Sequence, residues 1–167
     1  MTNILFNSNE LSKSNLTGLG LVSDGIYQNS KNLNFKSCYL KRFINESNFS
    51  FKLRRIAWSH YIVPILMNKF DCDIFLSPII EAPLTKKINS IVMAHDLIPL
   101  KFPSSSIDKI YFRTYIPWVL NKSLLILSNS NATSDEIIKT YNIDSSKIFN
   151  LKLGYDKKNI FSSNVKR

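Results

Sequence analysis

Short apolar runs at residues 4–6, 35–40, 73–78, 90–94, 124–127 and 148–153 alternate with longer segments of helical character. Runs this short and this apolar read as strands covered on both faces, and parallel strands need crossovers, usually helical, to join them. The expected fold is therefore α/β, one doubly wound, mainly parallel sheet with helices on both faces. In such a sheet the ligand crevice lies beyond the carboxyl ends of the strands, so the loops following each run are where chemistry is sought.

Between the runs, residues 51–70 carry the strongest early helical signal, with Ile56, Trp58, Tyr61, Ile62, Ile65 and Leu66 giving a broad apolar face. Pro64 is expected to kink or interrupt that helix. Residues 21–31 are weakly helical, residues 106–121 more clearly so. Residues 130–141 begin with Ser and Thr, place Asp135 and Glu136 in the first turn and Lys139 near the end, which suits the helix dipole. Residues 81–89 read as a polar connection holding Pro83 and two lysines. A single domain over residues 1–156 is expected, followed by a tail or severed linker at 157–167 that has neither periodicity.

With 44% hydrophobic and 12% aromatic residues among 167, the chain can build a substantial core. Its net charge of +10 attracts anions such as phosphates, acidic lipid headgroups or nucleic acid. The basic groups cluster at Lys41-Arg42, residues 52–55 and Lys86-Lys87, where a solvated basic face is as good a reading as a binding surface. Nucleic acid ranks last among the partners, because the aromatic residues fall in apolar segments rather than alternating with Lys and Arg. Cys38 and Cys72 are distant and flanked by apolar residues, which favours free thiols over a disulfide or a metal pair. The first residues lack the pattern of a signal peptide, and no apolar run approaches membrane-spanning length. A cytoplasmic protein is expected, with any contact at the inner membrane face peripheral.

The carboxyl-end rule selects the loops holding Gly18, Gly20, Ser77, His95, Asp96, Ser128 and Ser130. Gly18 and Gly20 permit a tight backbone turn, and a helix opening after them could present amides to a phosphate; without the third glycine of a dinucleotide fingerprint this Gly-x-Gly is a weak signal. His95 leaves the end of an apolar strand, where it can hydrogen-bond a sugar hydroxyl or steady charge, with Asp96 orienting it. The alternative is that His95 caps the strand and Asp96 starts a turn. Ser128 and Ser130 can hold an anion or a sugar, although helix capping is the commoner role of such residues. Asp71-Cys72-Asp73 matches an Asp-x-Asp metal motif in form only, since it enters a strand at the end away from the crevice. No His, Cys and carboxylate cluster has metal-ligand spacing.

Together these blocks resemble the N-terminal domain of family 4-type glycosyltransferases with the GT-B fold. The resemblance is carried by Trp58 and Pro64 ahead of residues 70–78, by residues 92–103 around His95-Asp96, and by residues 127–137 with Tyr141-Asn142-Ile143, Lys147-Ile148 and Gly154-Tyr155-Asp156. It implies a Rossmann-like domain and transfer of a hexose, often mannose or glucose, from a nucleotide-diphosphate sugar to a polysaccharide or glycolipid acceptor, without a catalytic metal. It further implies that Gly18 and Gly20 approach the donor diphosphate and His95 the transferred sugar. Such enzymes hold the donor mainly in a second domain, so this chain is expected to be inactive alone and to need a separate C-terminal half or partner subunit. Residues 151–154, Leu-Lys-Leu-Gly, depart from the family in lacking the proline-asparagine that commonly precedes that glycine. The competing expectation is a non-catalytic module that binds an anionic glycan, a glycolipid or a partner subunit.

Overall fold

The computed structural model describes residues 2–9, 11, 18–30, 32–85 and 87–151. Strands β1 (Asn3–Asn7), β2 (Asn34–Cys38), β3 (Ile74–Ser77), β4 (Asn89–Ala94), β5 (Leu125–Ser128) and β6 (Ile148–Asn150) form one sheet in the order β2-β1-β3-β4-β5-β6, and every neighbouring pair is parallel. The fold is Rossmann-like α/β. The helices are α1 (Gly18–Asn29), α2 (Asn48–Lys69), α3 (Ile98–Lys101), α4 (Ser106–Lys122) and α5 (Asn131–Tyr141).

Register sorts the strand side chains onto two faces, because partners in a parallel pair point the same way and neighbours along a strand point oppositely. Leu5, Phe75, Val92 and Ile126 lie on one face and build the main core with Trp58, Val63 and Met67 of α2, Ile116, Val119 and Leu120 of α4, and Ile137 of α5. Phe6 lies on the other face, where its ring meets Tyr27 of α1 and Phe35 of β2 at 5.7 and 5.8 Å. Helices thus cover both faces, as the sheet pattern requires.

Four local expectations are corrected. Gly18 and Gly20 sit in the first turn of α1 rather than in a turn before it. Pro64 does not interrupt α2, which runs on to Lys69; Val63 and Met67 on either side of it are buried in the core, and that packing outweighs one missing backbone hydrogen bond. Asp135 and Glu136 lie beyond the first turn of α5, a turn that starts at Asn131 and holds no acid, and the connection between β3 and β4 is buried only where it begins, from Glu81 to Pro83, with Thr85 and Lys87 exposed. Thr17, residues 152–154, Tyr155, Asp156 and the tail at 157–167 lie outside the described residues, as does the proposed domain boundary.

The buried start of that connection is held by a polar cluster. Arg55 of α2 pairs with Glu81 at 2.5 Å, the Tyr111 hydroxyl of α4 donates to the same carboxylate oxygen at 2.9 Å, and the Tyr115 hydroxyl donates to Ala82 O at 3.3 Å. Burial, reinforced by the charge of Glu81, pushes the Tyr111 phenol well above its ordinary value, so it remains a donor. Lys52 of α2 also pairs with Asp108 in the first turn of α4. Much of the basic character read from residues 52–55 is therefore matched by acids inside the fold, with Arg54 on Glu46 at 2.8 Å completing the set. Cys38 and Cys72 are free thiols; burial pushes Cys38 up to about 12, which keeps it protonated and inert.

Candidate functional site

Strand order reverses direction between β1 and β3: β2 follows β1 to one side, whereas β3, β4, β5 and β6 add to the other. That reversal opens a crevice at the carboxyl ends of the two strands. Asn7 at the end of β1 donates from Nδ2 to Ser77 Oγ at the end of β3, 3.1 Å away, and both side chains are buried. The chain beyond β1 is fixed by further short polar side chains. Ser8 donates from Oγ to Cys38 O at 3.0 Å, and Asn9 Oδ1 accepts from Leu40 N at 2.6 Å.

Beside this brace lies a cleft of about 870 Å³ bordered by Ser8, Asn9, Tyr27, Tyr39, Lys41, Arg42 and Phe51. Its volume is of the size that holds a sugar or nucleotide fragment, and its walls mix aromatic faces with cations and hydroxyls. In the sequence Lys41 and Arg42 read only as a basic cluster, and nothing singles out Ser8 and Asn9. Their position just past two strand ends was the available signal, but the cleft is assembled from four separate segments and no one of them announces it.

Gly18 opens α1 beyond β1 with an ordinary backbone conformation, and an added Cβ there would meet nothing within 4 Å. The fold itself does not demand glycine at this position. No acidic residue occupies the first turn of α1, so that turn carries no carboxylate of its own to repel an anion. Gly18→Ala is accordingly expected to leave the melting temperature unchanged or slightly raised, since alanine favours a helix by roughly 0.5–1 kcal/mol. Thermal unfolding measures this directly, and a lowered melting temperature would show that the position has a structural constraint.

His95 follows β4 and is half-buried. Its Nε2 lies 2.9 Å from Pro78 O, and because a carbonyl only accepts, the proton sits on Nε2. The ring is thereby anchored to the turn after β3, and Nδ1 is the atom left to meet a ligand: an acceptor when the ring is neutral, a donor when it is charged. Asp96 is exposed and accepts from Ile98 N at 3.0 Å, forming the turn that starts α3. It shapes the backbone after His95.

Ser130 is the N-cap of α5, accepting from Thr133 N at 3.1 Å, while Ser128 is fully buried with its hydroxyl 2.7 Å from that of Ser134. Both are engaged in shaping the helix start. Thr133 ties this corner to the histidine, donating toward His95 O at 3.3 Å. The structure thus brings Ser77, Pro78, His95, Ser130 and Thr133 into one connected rim. It sets Gly18 and Gly20 beyond β1, which β3 separates from β4, a span of roughly 10 Å at ordinary strand spacing. Asp71 and Asp73 stand at the opposite end of the sheet, where Asp73 accepts from Asn3 N at 2.8 Å and Asp71 O accepts from Asn3 Nδ2 at 2.8 Å. They fasten the start of β1. Among the described residues no helix is long and apolar enough to cross a membrane.

No family model matches the chain. Over 109 residues it is 28% identical to the O-antigen chain mannosyltransferase RfbU of Salmonella typhimurium, a match that covers 63% of this chain and 30% of that protein. The chain therefore spans about a third of the length of the curated relative it matches, and this partial, distant likeness, joined to an all-parallel Rossmann-like sheet, supports a glycosyltransferase relationship at that coarse level.

Proposed function

We propose that the chain is the N-terminal, acceptor-side domain of a family 4-type glycosyltransferase of GT-B architecture. It would move a hexose, with mannose the first candidate, from a nucleotide-diphosphate sugar to a polysaccharide or glycolipid acceptor. The observation that carries this reading is the match to a mannosyltransferase across 63% of the chain. A sheet whose switch-point crevice opens beside an aromatic and cationic cleft is consistent with it.

In this reading the first-turn amides of α1, reached past Gly18 and Gly20, approach the donor diphosphate. His95 holds the transferred sugar through Nδ1, its ring kept in place by Pro78 O. Asp96 positions the histidine's backbone, and Ser128 and Ser130 shape the neighbouring rim. Breaking the sugar–phosphate bond leaves negative charge on the diphosphate, so fixed amides act by stabilising that charge while the anchored imidazole, accepting from a sugar hydroxyl at Nδ1, orients the donor. A second domain supplies the remaining walls of the donor site, either in the same polypeptide or as a partner, and the present chain alone does not turn over.

The test is to assay the chain alone and together with a C-terminal donor-binding half for release of nucleoside diphosphate from GDP-mannose and UDP-glucose, with a cell-envelope glycolipid fraction as acceptor. Acceptor-dependent release only in the two-part protein supports the proposal. Failure of the two-part protein to transfer from either donor, while it still binds the glycolipid, would favour the second reading, a non-catalytic module. Lys41 and Arg42 at the cleft mouth are the observation on its side.

A further inference from the structure

Helix α2 carries two apolar stripes, and the core uses one of them. Trp58, Val63 and Met67 are buried against the sheet, whereas Leu53, Ala57, Tyr61 and Ile65 recur at four-residue spacing and are all exposed, Tyr61 at 74%. The neighbouring helix α4 repeats the arrangement. Its Ile116, Val119 and Leu120 are taken by the core, while Ile110 and Trp118 are exposed, Trp118 at 66%. Between the helices runs a groove of about 460 Å³ bordered by Leu53, Ala57, Tyr61, Leu84, Tyr115 and Trp118. Thr114 and Tyr115 spend their hydroxyls on Ile110 O and Ala82 O, so the groove offers little to a sugar or a phosphate.

Charge and area say what covers this face. With a net charge of +10, two copies of the chain repel over most of their surface. Here that repulsion is least. The three cations in the first half of α2 are each matched inside the fold, Lys52 by Asp108, Arg54 by Glu46 and Arg55 by Glu81. Lys109 and Arg113 lie, by helical periodicity, on the flank of α4 turned away from Trp118, and Lys122 one turn past Trp118 marks the edge. An anionic partner would therefore find the nearest charges already taken. The exposed parts of Leu53, Tyr61, Ile65, Ile110 and Trp118 amount to roughly 600 Å² at ordinary side-chain sizes. A standard interface takes about 800 Å² from each partner, and the groove walls supply much of the difference. A two-fold pair needs one patch that fits itself, and this patch has a projection, Trp118, beside a hollow.

We propose that the α2–α4 face is the interface of a homodimer, in which Trp118 of each copy enters the groove of the other beside Leu53, Ala57 and Leu84. The contact lies on the helical layer, involves neither the crevice nor a sugar donor, and its failure would leave the glycosyltransferase reading untouched.

Light scattering and sedimentation of the full chain test it. The chain is expected to be dimeric, more completely at about 0.5 M salt than at about 0.05 M, because salt screens the repulsion between two cationic copies. Trp118→Ser is expected to raise the Kd at least about 100-fold, since tryptophan anchors dominate interfaces and a symmetric pair loses two of them. Trp118 lies outside the core, so the variant should keep the wild-type circular dichroism spectrum. Should it misfold, Tyr61→Ser takes its place with the same direction of effect. Trp58 is buried, so acrylamide quenching of the dilute chain reports mainly on Trp118 and should fall as the dimer forms. A chain that stays monomeric up to about 100 μM overturns the proposal. So do a dimer that neither substitution weakens, a dimer whose Trp118 stays as open to quencher as in the monomer, and growth past the dimer into open-ended oligomers. Dissociation on adding salt overturns it as well, since that marks a contact held by charge.

Discussion

Glu81→Ala is expected to destabilise the protein by about 3 kcal/mol, among the largest effects of any single substitution outside the apolar core. Glu81 is 2% exposed and receives both Arg55 and the Tyr111 hydroxyl on one oxygen. Truncating it takes the buried carboxylate away from a guanidinium and a phenol in a region with little access to water, and the loss of that charge-assisted contact sets the cost. For a chain of this size that loss corresponds to a melting temperature lowered by roughly 6–12 °C. Urea denaturation with an unchanged slope is the measurement. The paired replacement Arg55→Met with Glu81→Leu should recover most of the loss, because an apolar pair of similar volume removes both desolvation costs together. A double variant as unstable as the single one would show that the cluster stabilises by geometry that apolar packing cannot copy.

The second large effect concerns transfer. In the two-part enzyme, His95→Ala is expected to lower kcat/KM by about 10², the scale of loss when a group that positions the reacting sugar is removed. The same substitution frees the Pro78 carbonyl from its 2.9 Å hydrogen bond, so a stability loss of about 1 kcal/mol should accompany it. The two readouts separate the roles. A fall in melting temperature with unimpaired transfer would leave His95 as a strap between the ends of β3 and β4 and nothing more. Loss of transfer measured well below the melting transition would place its free ring nitrogen at the reacting sugar.

What could be read from the chain follows from how local each signal is. The strands were legible because buried parallel strands are apolar from end to end, and Val92-Met93-Ala94 cannot be mistaken for a solvated segment. Ser130 was legible as a cap because capping is decided within four residues. Glu81 was not, since its burial depends on Arg55, 26 residues earlier, and on Tyr111, 30 residues later. Gly18 and Gly20 read as a loop because glycine is a poor helix former, yet the helix begins at them, so propensity misplaced the boundary. Pro64 misled for the same reason: the local penalty was real, but the core contacts of Val63 and Met67 are stronger. At the site, the strand-end rule located His95, whereas the cleft walls, from the chain after β1, from the end of β2 and the chain after it, and from α1 and α2, belong together only once the sheet is built.

The order of the strands also imposes an order of events during synthesis. β1 leaves the ribosome before the other strands of this sheet but lies inside it, paired on one side with β2 and on the other with β3, whose Ser77 is 70 residues behind its partner Asn7. Until residues 74–77 emerge, this sheet has at most the parallel pair β1–β2, too small to stand alone, with one flank of β1 open and Leu5 lacking its neighbour Phe75. A translational pause or a premature stop before that point would therefore release a chain with an uncovered strand edge, the form of this protein most exposed to chaperones and to aggregation.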